Sequence, residues 1–349
     1  MKRYGNLYPQ VYDLDNIREA HKNARKGKAH YREIRMVDKN PEMYFKRIHY
    51  MLKNKTFHNS KYKVFKRFDT RKVREIYRLP YFPDRIIHHC IMQVVEPIWI
   101  KTLIPNTFAC IKQRGIHKAV KKIKKSLRDK QGTKYCLKCD VKKFYPSVDH
   151  NILKIVIRKK IKDPDLLWIM DEIINSAPGI PIGNYLSQHF GNLYLSGIDH
   201  KMKEILKTKY YFRYCDDIVI LHSDKEFLHN TKNQLIAWLD DLNLELKSDW
   251  QVFPTDIRGI DFLGYRFFHD YTLLRKSIGH RFKRKIRWIK KRWREIGPVS
   301  VISTVMSYNG WFGYANCQNF TNKYIDNEIK LIIRTVCHMN KIHNPLLSF

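Results

Sequence analysis

The sequence is poor in acidic residues and contains no long apolar run. Its 349 residues include 33 Asp and Glu against 67 Lys and Arg, which gives a formal net charge of +34. A membrane-spanning helix needs about 20 consecutive apolar residues, and even the apolar stretch CIMQVVEPIWI is interrupted by Gln93 and Glu96. The stretch MKRYGNLYPQVYDLD at the start lacks the apolar segment of a secretion signal. We therefore expect a cytoplasmic protein that does not enter a membrane.

The seven cysteines show no pattern that would predict a disulfide framework or a zinc site. Their number is odd, and they are scattered through apolar stretches, which is typical of reduced thiols. The CLKC stretch at 136–139 has no second pair at a suitable spacing, and in a strand Cys136 and Cys139 point to opposite faces. We expect these cysteines to be structural.

The positive charge is spread along the whole chain, which suits a long polyanionic partner. Lys and Arg bind such a partner largely through release of its counterions. Nucleic acid is the favoured partner, and an anionic membrane surface is the competing interpretation. With 44% hydrophobic residues and no internal repeat, the chain has enough apolar material for a core and for more than one structural unit.

Three zones differ in their predicted secondary structure. Residues 1 to about 120 mix short helical patterns with a basic stretch, KYKVFKRFDTRKVREIYRLPYF, that alternates like a hairpin. Residues 131–270 contain the clearest strands, in KYCLKCDVKKFY, YFRYCDDIVIL and IDFLGYRFF. The last zone is helical and very basic.

Apolar residues at spacings of three and four predict amphipathic helices over 116–128, 183–207 and 281–296. The first and the last carry many cations outside their apolar stripes. A solvated charged face is the simpler interpretation of either helix alone, but beside paired acidic residues both favour contact with phosphates. The predicted stripes are Ile116, Val120, Ile123 and Leu127; Leu186, Phe190, Leu193, Tyr194, Ile198 and Met202; and Phe282, Ile286, Ile289, Trp293 and Ile296.

Asp216 and Asp217 stand side by side in RYCDDIVIL, where the other residues are typical of a buried strand. Two adjacent buried carboxylates are costly without a compensating charge. A turn at the two aspartates would lift both to the tip of a hairpin, although Asp-Asp is also common in ordinary turns. Alternation in LKCDVKKFY puts Asp140 on the strand face opposite Leu137 and Cys139. If the strands are neighbours, three carboxylates converge and can hold two Mg²⁺ ions about 3.5–4 Å apart. We expect metal, and not lysine, as the compensating charge.

The order of these motifs resembles that of reverse transcriptases, in which an acidic residue of a D-x-x-x-x-[FY] strand joins the acidic pair of a Y-x-D-D hairpin. Asp140 with Tyr145, and the later YCDD, match the two motifs. The resemblance covers nearly the whole chain and implies an RNA-directed DNA polymerase. The implied catalytic residues are Asp140, Asp216 and Asp217. The same carboxylates and Val141 would bind two Mg²⁺ ions, which Mn²⁺ can replace.

The resemblance also implies contacts to the incoming nucleotide. REIYRLPYFPDRIIHH resembles the fingers motif whose basic residues meet the triphosphate, and the spacing does not choose between Arg74 and Arg78. Tyr145 falls where the family places a ring against the sugar, which would exclude a 2′-hydroxyl; a packed aromatic beside Phe144 is the alternative. LELKSDW matches the segment with a lysine near the departing phosphates. The implied nucleotide-binding residues are Arg74, Arg78, Lys142, Tyr145, Ile182, Gly183, Gln188 and Lys247.

The implied fold is α+β, a right-hand polymerase with mixed fingers, a palm built on an antiparallel sheet and an α-helical thumb. We expect fingers with an N-terminal extension over 1–130, the palm over 131–270 and the thumb over 271–349. IDFLGYRFF resembles the hairpin that grips the primer, and the basic face of the thumb would follow the duplex. The implied nucleic-acid contacts are Arg114, Gly115, Gly264, Lys283, Arg287, Lys290, Lys291 and Arg294.

The stretch GIPIGNYLSQHFGNLYL at 179–195 narrows the resemblance. Most relatives have Q-G-x-x-x-S-P here, whereas this chain has Ile182, Gly183, Ser187 and Gln188, which resembles the reverse transcriptases of diversity-generating retroelements. Those enzymes copy a template RNA inaccurately at adenines. The resemblance implies dNTPs as substrates, template RNA and an RNA–cDNA duplex as partners, and a small, helical, oligomeric accessory protein. It also implies a bacterial or phage source.

Ile182 offers a physical hypothesis for such errors. An isoleucine cannot form the hydrogen bonds of a glutamine amide, so the templating base would be held by shape alone. Adenine forms two pairing hydrogen bonds instead of three, so the error rate should be highest opposite template adenine. The alternative is that Ile182 is only a residue of the core. Three other interpretations of the chain stay open: an antiviral-defence reverse transcriptase, a group II intron-like enzyme, and a non-catalytic RNA-binding protein on a polymerase scaffold.

Overall fold

A computed structural model describes residues 2–69 and 72–339. The N-terminal part contains helices α1 (Tyr8–Tyr12), α2 (Leu14–Ala24), α3 (Arg32–Lys39) and α4 (Pro41–Lys53), strands β1 (Lys63–Asp69) and β2 (Lys72–Arg78), a helical turn at Tyr81–Arg85, and helices α5 (Ile86–Ile100) and α6 (Ile116–Ser126).

The middle of the chain alternates strands and helices. In order these are β3 (Tyr135–Asp140), α7 (Phe144–Ser147), α8 (His150–Arg158), α9 (Pro164–Asn175), α10 (Ser187–Tyr194), α11 (Ser196–Glu204), β4 (Tyr210–Tyr214), β5 (Asp217–His222), α12 (Lys225–Asp240) and β6 (Gln251–Pro254). The last part contains α13 (Thr255–Arg258), β7 (Ile260–Phe262), β8 (Tyr265–Phe267), β9 (Thr272–Leu274), α14 (Lys276–Arg292), α15 (Pro298–Phe312), α16 (Gln318–Tyr324) and α17 (Asn327–Met339).

The protein is a mixed helix and sheet fold that divides into two compact units. The first unit consists of 1–115, 139–218 and 229–250, and the second of 116–138, 219–228 and 251–349. The strand orders are β1-β2, β4-β5-β3-β6 and β7-β8-β9, and the division between the units crosses β3 and β5. The predicted boundaries of fingers, palm and thumb stay a prediction.

The apolar stretch CIMQVVEPIWI lies in α5, a core helix of the first unit. Ten of the 15 residues of α5 are buried, including Cys90, Ile91, Met92 and Val95. In the described residues, no helix is long and apolar enough to cross a bilayer. All seven cysteines lie in the described part of the chain, and they form no disulfide bond.

The basic stretch 61–82 forms the predicted hairpin. Strands β1 and β2 are antiparallel, in a register that pairs Lys63 with Arg78 and Arg67 with Arg74. Phe65 and Phe68 remain exposed, so this two-stranded ribbon is only partly covered by other elements. Cationic and apolar side chains therefore share its accessible surface.

Two of the predicted amphipathic helices are present with small changes in their bounds. In α6, Val120 and Ile123 are buried as predicted. Helix α14 begins five residues before the predicted start, because the apolar stripe of Phe282, Ile286 and Ile289 extends back to Ile278. This stripe packs in the core of the second unit, with residues of α15 and α17 such as Val301, Val305, Ile329 and Ile333.

The prediction of one continuous helix over 183–207 is wrong. Gly183 has a φ of +115°, a left-handed conformation that favours glycine and does not fit a helix. The chain then forms α10 and α11, which are separated at Leu195. The predicted inner stripe is nevertheless buried, at Leu186, Phe190, Leu193, Tyr194, Ile198 and Met202.

Gly264 shows why the turn between β7 and β8 requires a glycine. Leu263 and Gly264 have φ values of +53° and +87°, as in the two-residue turns that join tight hairpins. A Cβ added at Gly264 would lie 2.5 Å from Cζ3 of Trp311 and 2.8 Å from Cδ1 of Ile278. Backbone conformation and packing therefore both exclude a side chain here.

We predict that Gly264→Ala lowers the free energy of unfolding by about 3 kcal/mol, through the strained φ and the overlap with Trp311. The matched control is Gly310→Ala in α15, where a Cβ would have open space. That change should raise the stability by about 0.5 kcal/mol, because alanine is the better helix former. Urea denaturation measures both, and equal effects of the two substitutions would contradict the prediction.

Candidate catalytic site

The end of β3 is held between two other segments by backbone hydrogen bonds. The Val141 amide donates to the carbonyl oxygen of Asp216 at 3.3 Å, and the Lys247 amide donates to the carbonyl oxygen of Asp140 at 2.9 Å. The Lys142 amide donates to the Glu245 carbonyl at 2.8 Å. The main chain therefore brings together Asp140, the turn at Cys215 and Asp216 (the aspartate turn) and the segment around Lys247.

The turn of the hairpin lies one residue earlier than predicted. Strand β4 ends at Tyr214, the turn consists of Cys215 and Asp216, and Asp217 already begins β5. Cys215 has a φ of +54°, so the backbone reverses there. Asp216 and Asp217 are both partly buried. Asp216 lies in the turn, and Asp217 lies at the start of β5.

Lys247 lies beside the carboxylates, which corrects the expectation that no lysine would serve there. Its Nζ is 2.6 Å from Oδ2 of Asp249 and 3.8 Å from Oδ2 of Asp140. The hydrogen bond to Asp249 raises the pKa of Lys247, and the charges of Asp140 and Asp216 raise it further. The lysine is therefore a cation near both aspartates, at the end of a segment whose backbone pairs with β3.

A buried ion pair behind the hairpin was missed in the sequence. Arg213 of β4 and Asp199 of α11 are both fully buried, with Nη2 2.5 Å from Oδ2 and Nε 2.7 Å from Oδ1. Burial opposes the charge of Arg213, but the Asp199 carboxylate outweighs it and raises the pKa of Arg213. Nη1 of Arg213 also donates to the Cys215 carbonyl at 2.9 Å. The pair thus connects the aspartate turn to α11.

The sequence did contain a signal for this pair. Asp199 lies directly beside Ile198 and between Leu195 and Met202, at helical spacings that place it on the apolar face. A carboxylate on a buried face requires a partner. An arginine in a strand of otherwise apolar and aromatic residues is the natural candidate.

Tyr145 is half-buried next to the turn. Its hydroxyl donates to Sγ of Cys215 at 3.7 Å, and its carbonyl accepts from the Ile180 amide at 2.9 Å. Burial, followed by the thiol of Cys215, raises the pKa of Tyr145, so the ring stays neutral. The structure therefore places Tyr145 beside the YCDD motif, and it also packs against Phe144 at 5.4 Å between ring centroids.

The donor atoms near the turn fit a hard divalent cation. In the described part of the chain, no three Asp, Glu, His or Cys side chains are grouped closely enough to form a complete metal site. Mg²⁺, however, commonly takes one or two carboxylates and completes its shell with water and substrate phosphates. The carboxylates of Asp140, Asp216 and Asp217, with the backbone carbonyl of Val141, supply oxygen donors that suit Mg²⁺ or Mn²⁺.

The loop before α10 is attached to the basic hairpin. The Tyr77 amide of β2 donates to the carbonyl oxygen of Ile182 at 2.8 Å. A Cβ at Gly183 would lie 2.5 Å from the Tyr77 carbonyl oxygen, so this approach requires glycine. Ile182 is half-buried and Gln188 is exposed.

A cavity of about 480 Å³ adjoins this loop. Its lining includes Gly183, four cations and four tyrosines, with Glu33 as the acidic member: Lys28, Arg67, Arg78, Arg85, Tyr31, Tyr77, Tyr81 and Tyr185. Nη2 of Arg78 is 3.0 Å from Oε1 of Glu33. Burial and the charge of Arg85 lower the pKa of Lys28. The cavity is therefore rich in uncompensated positive charge.

The remaining predicted residues occupy varied positions. Arg114 donates from Nη1 to the carbonyls of Ile104 and Thr107 at 2.6 and 3.0 Å, so it stabilises its own loop, next to Gly115. Lys142 forms an ion pair with Glu245 at 2.5 Å. Arg74 is exposed. Gly264, Lys283, Arg287, Lys290, Lys291 and Arg294 belong to the second unit.

Comparison with known proteins decides the family. Residues 33–267 match the family model described as reverse transcriptase (RNA-dependent DNA polymerase). The chain belongs to this family. The matched region contains Asp140, Asp216, Asp217 and Lys247. The predicted thumb, residues 271–349, lies outside it.

Two known proteins are similar in sequence to this chain over part of their length. Protein YkfC of Escherichia coli is 22% identical over 240 residues, which cover 54% of this chain and 61% of the relative. The group II intron-encoded protein LtrA of Lactococcus lactis is 26% identical over 155 residues, which cover 41% of this chain and 25% of the relative. The chain thus spans less than two thirds of either protein.

Among solved structures, two yeast telomerases are similar. Apo telomerase from Candida tropicalis has a TM-score of 0.49 at 12% identity, with 82% of this chain and 58% of that chain covered. Telomerase from Candida albicans, in complex with a fragment of telomeric RNA, has a TM-score of 0.48 at 10% identity, with 84% and 62% covered.

We predict that Arg213→Met lowers the free energy of unfolding by about 3–5 kcal/mol, because it leaves the Asp199 carboxylate buried without its partner. The double substitution Arg213→Met with Asp199→Leu should recover part of this loss, since an apolar pair removes the stranded charge. Arg158→Met, which breaks the half-exposed pair with Asp171, is the matched control and should cost about 1 kcal/mol or less. Urea denaturation tests all three, and a double variant no more stable than Arg213→Met would contradict the argument.

Proposed function

We propose that this chain is an RNA-directed DNA polymerase that extends a primer along a template RNA by transfer of nucleotides from dNTPs. The observation that carries the proposal is the pairing of the end of β3 with the Cys215–Asp216 turn and with Lys247. It joins three motifs that are about 75 and 30 residues apart in the sequence, and it does so through main-chain hydrogen bonds. The proposal includes a right-hand polymerase fold, with fingers, palm and thumb.

Asp140, Asp216, Asp217 and the Val141 carbonyl would hold two Mg²⁺ ions, or Mn²⁺ in their place. When bound, such a pair activates the 3′-hydroxyl of the primer and stabilises the leaving pyrophosphate. The protein orients these oxygens: the backbone bond between Val141 and Asp216 fixes their spacing, and Arg213 fixes the Cys215 carbonyl. Lys247, kept protonated by Asp249 and the two aspartates, would donate a proton to pyrophosphate or pair with it.

The structure favours Arg74 over Arg78 as the contact to the triphosphate. Arg78 is already paired with Glu33, whereas Arg74 has no ion pair with any side chain that the structure describes. Arg74 also lies directly opposite Arg67 in the hairpin. Like charges opposite each other on a ribbon repel, and a bound polyphosphate would relieve this repulsion.

Tyr145 is suited to the selection of deoxynucleotides. Its ring is held by the contact with Cys215 and by packing on Phe144, so a 2′-hydroxyl would meet a fixed side chain. The cationic, tyrosine-rich cavity beside Gly183 suits the template strand, because cations bind phosphates and tyrosines stack on unpaired bases. Arg85 is half-buried, and its buried Nε has no hydrogen-bond partner in the described residues, so this arginine is suited to a phosphate there.

For the biological role we propose a diversity-generating retroelement, with adenine-specific errors and an oligomeric helical accessory protein. The support is the I-G-x-x-x-S-Q version of the 182–188 motif. The similarity to LtrA favours a group II intron-like enzyme as the second candidate, and an antiviral-defence enzyme is the third. Two near-identical DNA repeats that differ only at adenines, close to the gene, would distinguish the first role from the other two.

We predict that Asp140→Asn, Asp216→Asn and Asp217→Asn each lower primer extension by about a hundredfold or more, as loss of a preorganised charge at a reacting centre does. The assay uses a DNA or RNA primer on an RNA template with dNTPs and Mg²⁺. Asp240→Asn, at an exposed position in α12, is the control and should leave extension unchanged. Full extension by the Asp216→Asn and Asp217→Asn proteins would refute the proposed chemistry, and so would inactive wild-type protein.

A second prediction concerns fidelity. Ile182→Gln should lower errors opposite template adenine several-fold, because an amide can hydrogen-bond where isoleucine cannot. The Ile182 carbonyl is fixed by Tyr77, so the exchange changes the side chain and leaves the backbone contact intact. Sequencing of cDNA from a defined RNA measures the errors at each template base. Ile182→Leu is the control, and an unchanged error spectrum for Ile182→Gln would remove the hypothesis.

A further inference from the structure

Helix α14 carries cations on both sides of its buried stripe. Successive residues of a helix are rotated by about 100°, so positions three, four and seven apart share a side. Arg281, Arg284, Lys285 and Trp288 lie on one side, which we call the first flank. Lys283, Arg287 and Lys290 lie on the other side, and Arg294 follows in the turn after the helix; we call these four residues the second flank.

Two cations of the second flank already have partners within the second unit. Nζ of Lys290 is 2.5 Å from Oδ2 of Asp326 and 2.6 Å from Oε2 of Glu328. These hydrogen bonds raise the pKa of Lys290. Nζ of Lys283 lies over the rings of Phe320 and Tyr324, 5.5 and 5.0 Å from their centroids. Two of the four cations on this flank therefore already have partners within the protein: Lys290 in carboxylates and Lys283 in aromatic rings.

The first flank has the opposite character. A recess of about 390 Å³ is lined by its four residues and by Tyr308 of α15, and this lining contains no carboxylate. Arg281, Arg284 and Lys285 form no ion pair with any residue in 2–69 or 72–339. Trp288 is 38% exposed, and Nζ of Lys285 lies 4.9 Å from its ring centroid. Tyr308 packs on the buried ring of Phe282 at 5.0 Å, which fixes the wall of the recess.

This combination fits an unpaired nucleotide. Guanidinium and ammonium groups bind backbone phosphates, while an exposed indole and a phenol offer surfaces on which a base can stack. The bases of a duplex are stacked on each other and cannot reach such rings, so the recess distinguishes single strands from duplexes. A recess of this volume accommodates one nucleoside.

We infer that the first flank of α14, with Tyr308, is a binding site for single-stranded RNA, separate from the duplex-following role that the sequence assigned to the second flank. The inference rests on the proposed function in one respect, since it assumes RNA as the nucleic acid that this protein handles. The site would hold an unpaired stretch of the RNA that carries the template.

The test compares the binding of a labelled RNA strand of about 12 nucleotides with that of an RNA–DNA duplex of equal length, at several salt concentrations, on the full-length protein. Trp288→Ala should weaken binding of the single strand about tenfold and leave its salt dependence unchanged, because a stacking ring carries no charge. Trp288→Phe should restore most of the affinity. Duplex binding should change by less than about twofold.

A matched pair of triple variants separates the site from general charge. Arg281→Gln, Arg284→Gln, Lys285→Gln should reduce the slope of log K against log salt for the single strand by about 2. The control Arg287→Gln, Lys291→Gln, Arg294→Gln removes the same charge from exposed positions of the same helix and of the turn that follows it, and should affect the single strand less. Equal losses from both triples, or no effect of Trp288→Ala, would overturn the site. Inactive wild-type protein in primer extension would instead refute the proposed polymerase and leave this binding result standing.

Discussion

The aspartate turn depends on one buried ion pair, between Arg213 and Asp199. Removal of both charges from water is costly, and only complete hydrogen bonding offsets it. Here the Asp199 carboxylate also accepts from the Tyr211 hydroxyl at 2.6 Å and from the Thr107 hydroxyl at 2.9 Å. An apolar pair could match this stability, but it could not hold the Cys215 carbonyl. The ion pair therefore specifies the conformation of the turn more than it stabilises the fold.

The few acidic residues determine which of the many cations remain available to a ligand. Glu33 pairs with Arg78, Glu245 with Lys142, and Asp326 and Glu328 with Lys290. Each of these cations was a predicted contact to nucleotide or nucleic acid. By contrast, Arg74, in the same strand as Arg78, and Arg281, in the same helix as Lys290, have no acidic partner in the described residues. In a chain with a net charge of +34, the location of the acids is thus more informative than the location of the bases.

The sequence predicted the elements better than it predicted their junctions. The apolar stripes of α6 and α14, the basic hairpin and the meeting of Asp140 with the aspartate turn all follow from local periodicity or from motif order. The late start of the predicted 183–207 helix did not, because the Tyr77 carbonyl leaves no space for a Cβ at Gly183 and this residue has a φ of +115°. The resemblance named Lys247 as a nucleotide contact, but the approach of Lys247 to Asp140 and the Arg213–Asp199 pair were missed for the same reason. Each joins segments that no pattern within a single element can relate.

The contact between Tyr77 and Ile182 shows how such a junction can vary in chemistry without a change in shape. It uses only main-chain atoms, an amide and a carbonyl 2.8 Å apart, and the neighbouring Gly183 is fixed by steric exclusion. The side chain at 182 is thus attached to a backbone whose position does not depend on it. A different side chain at 182 can therefore be presented from the same backbone, while the loop and the hairpin keep their arrangement.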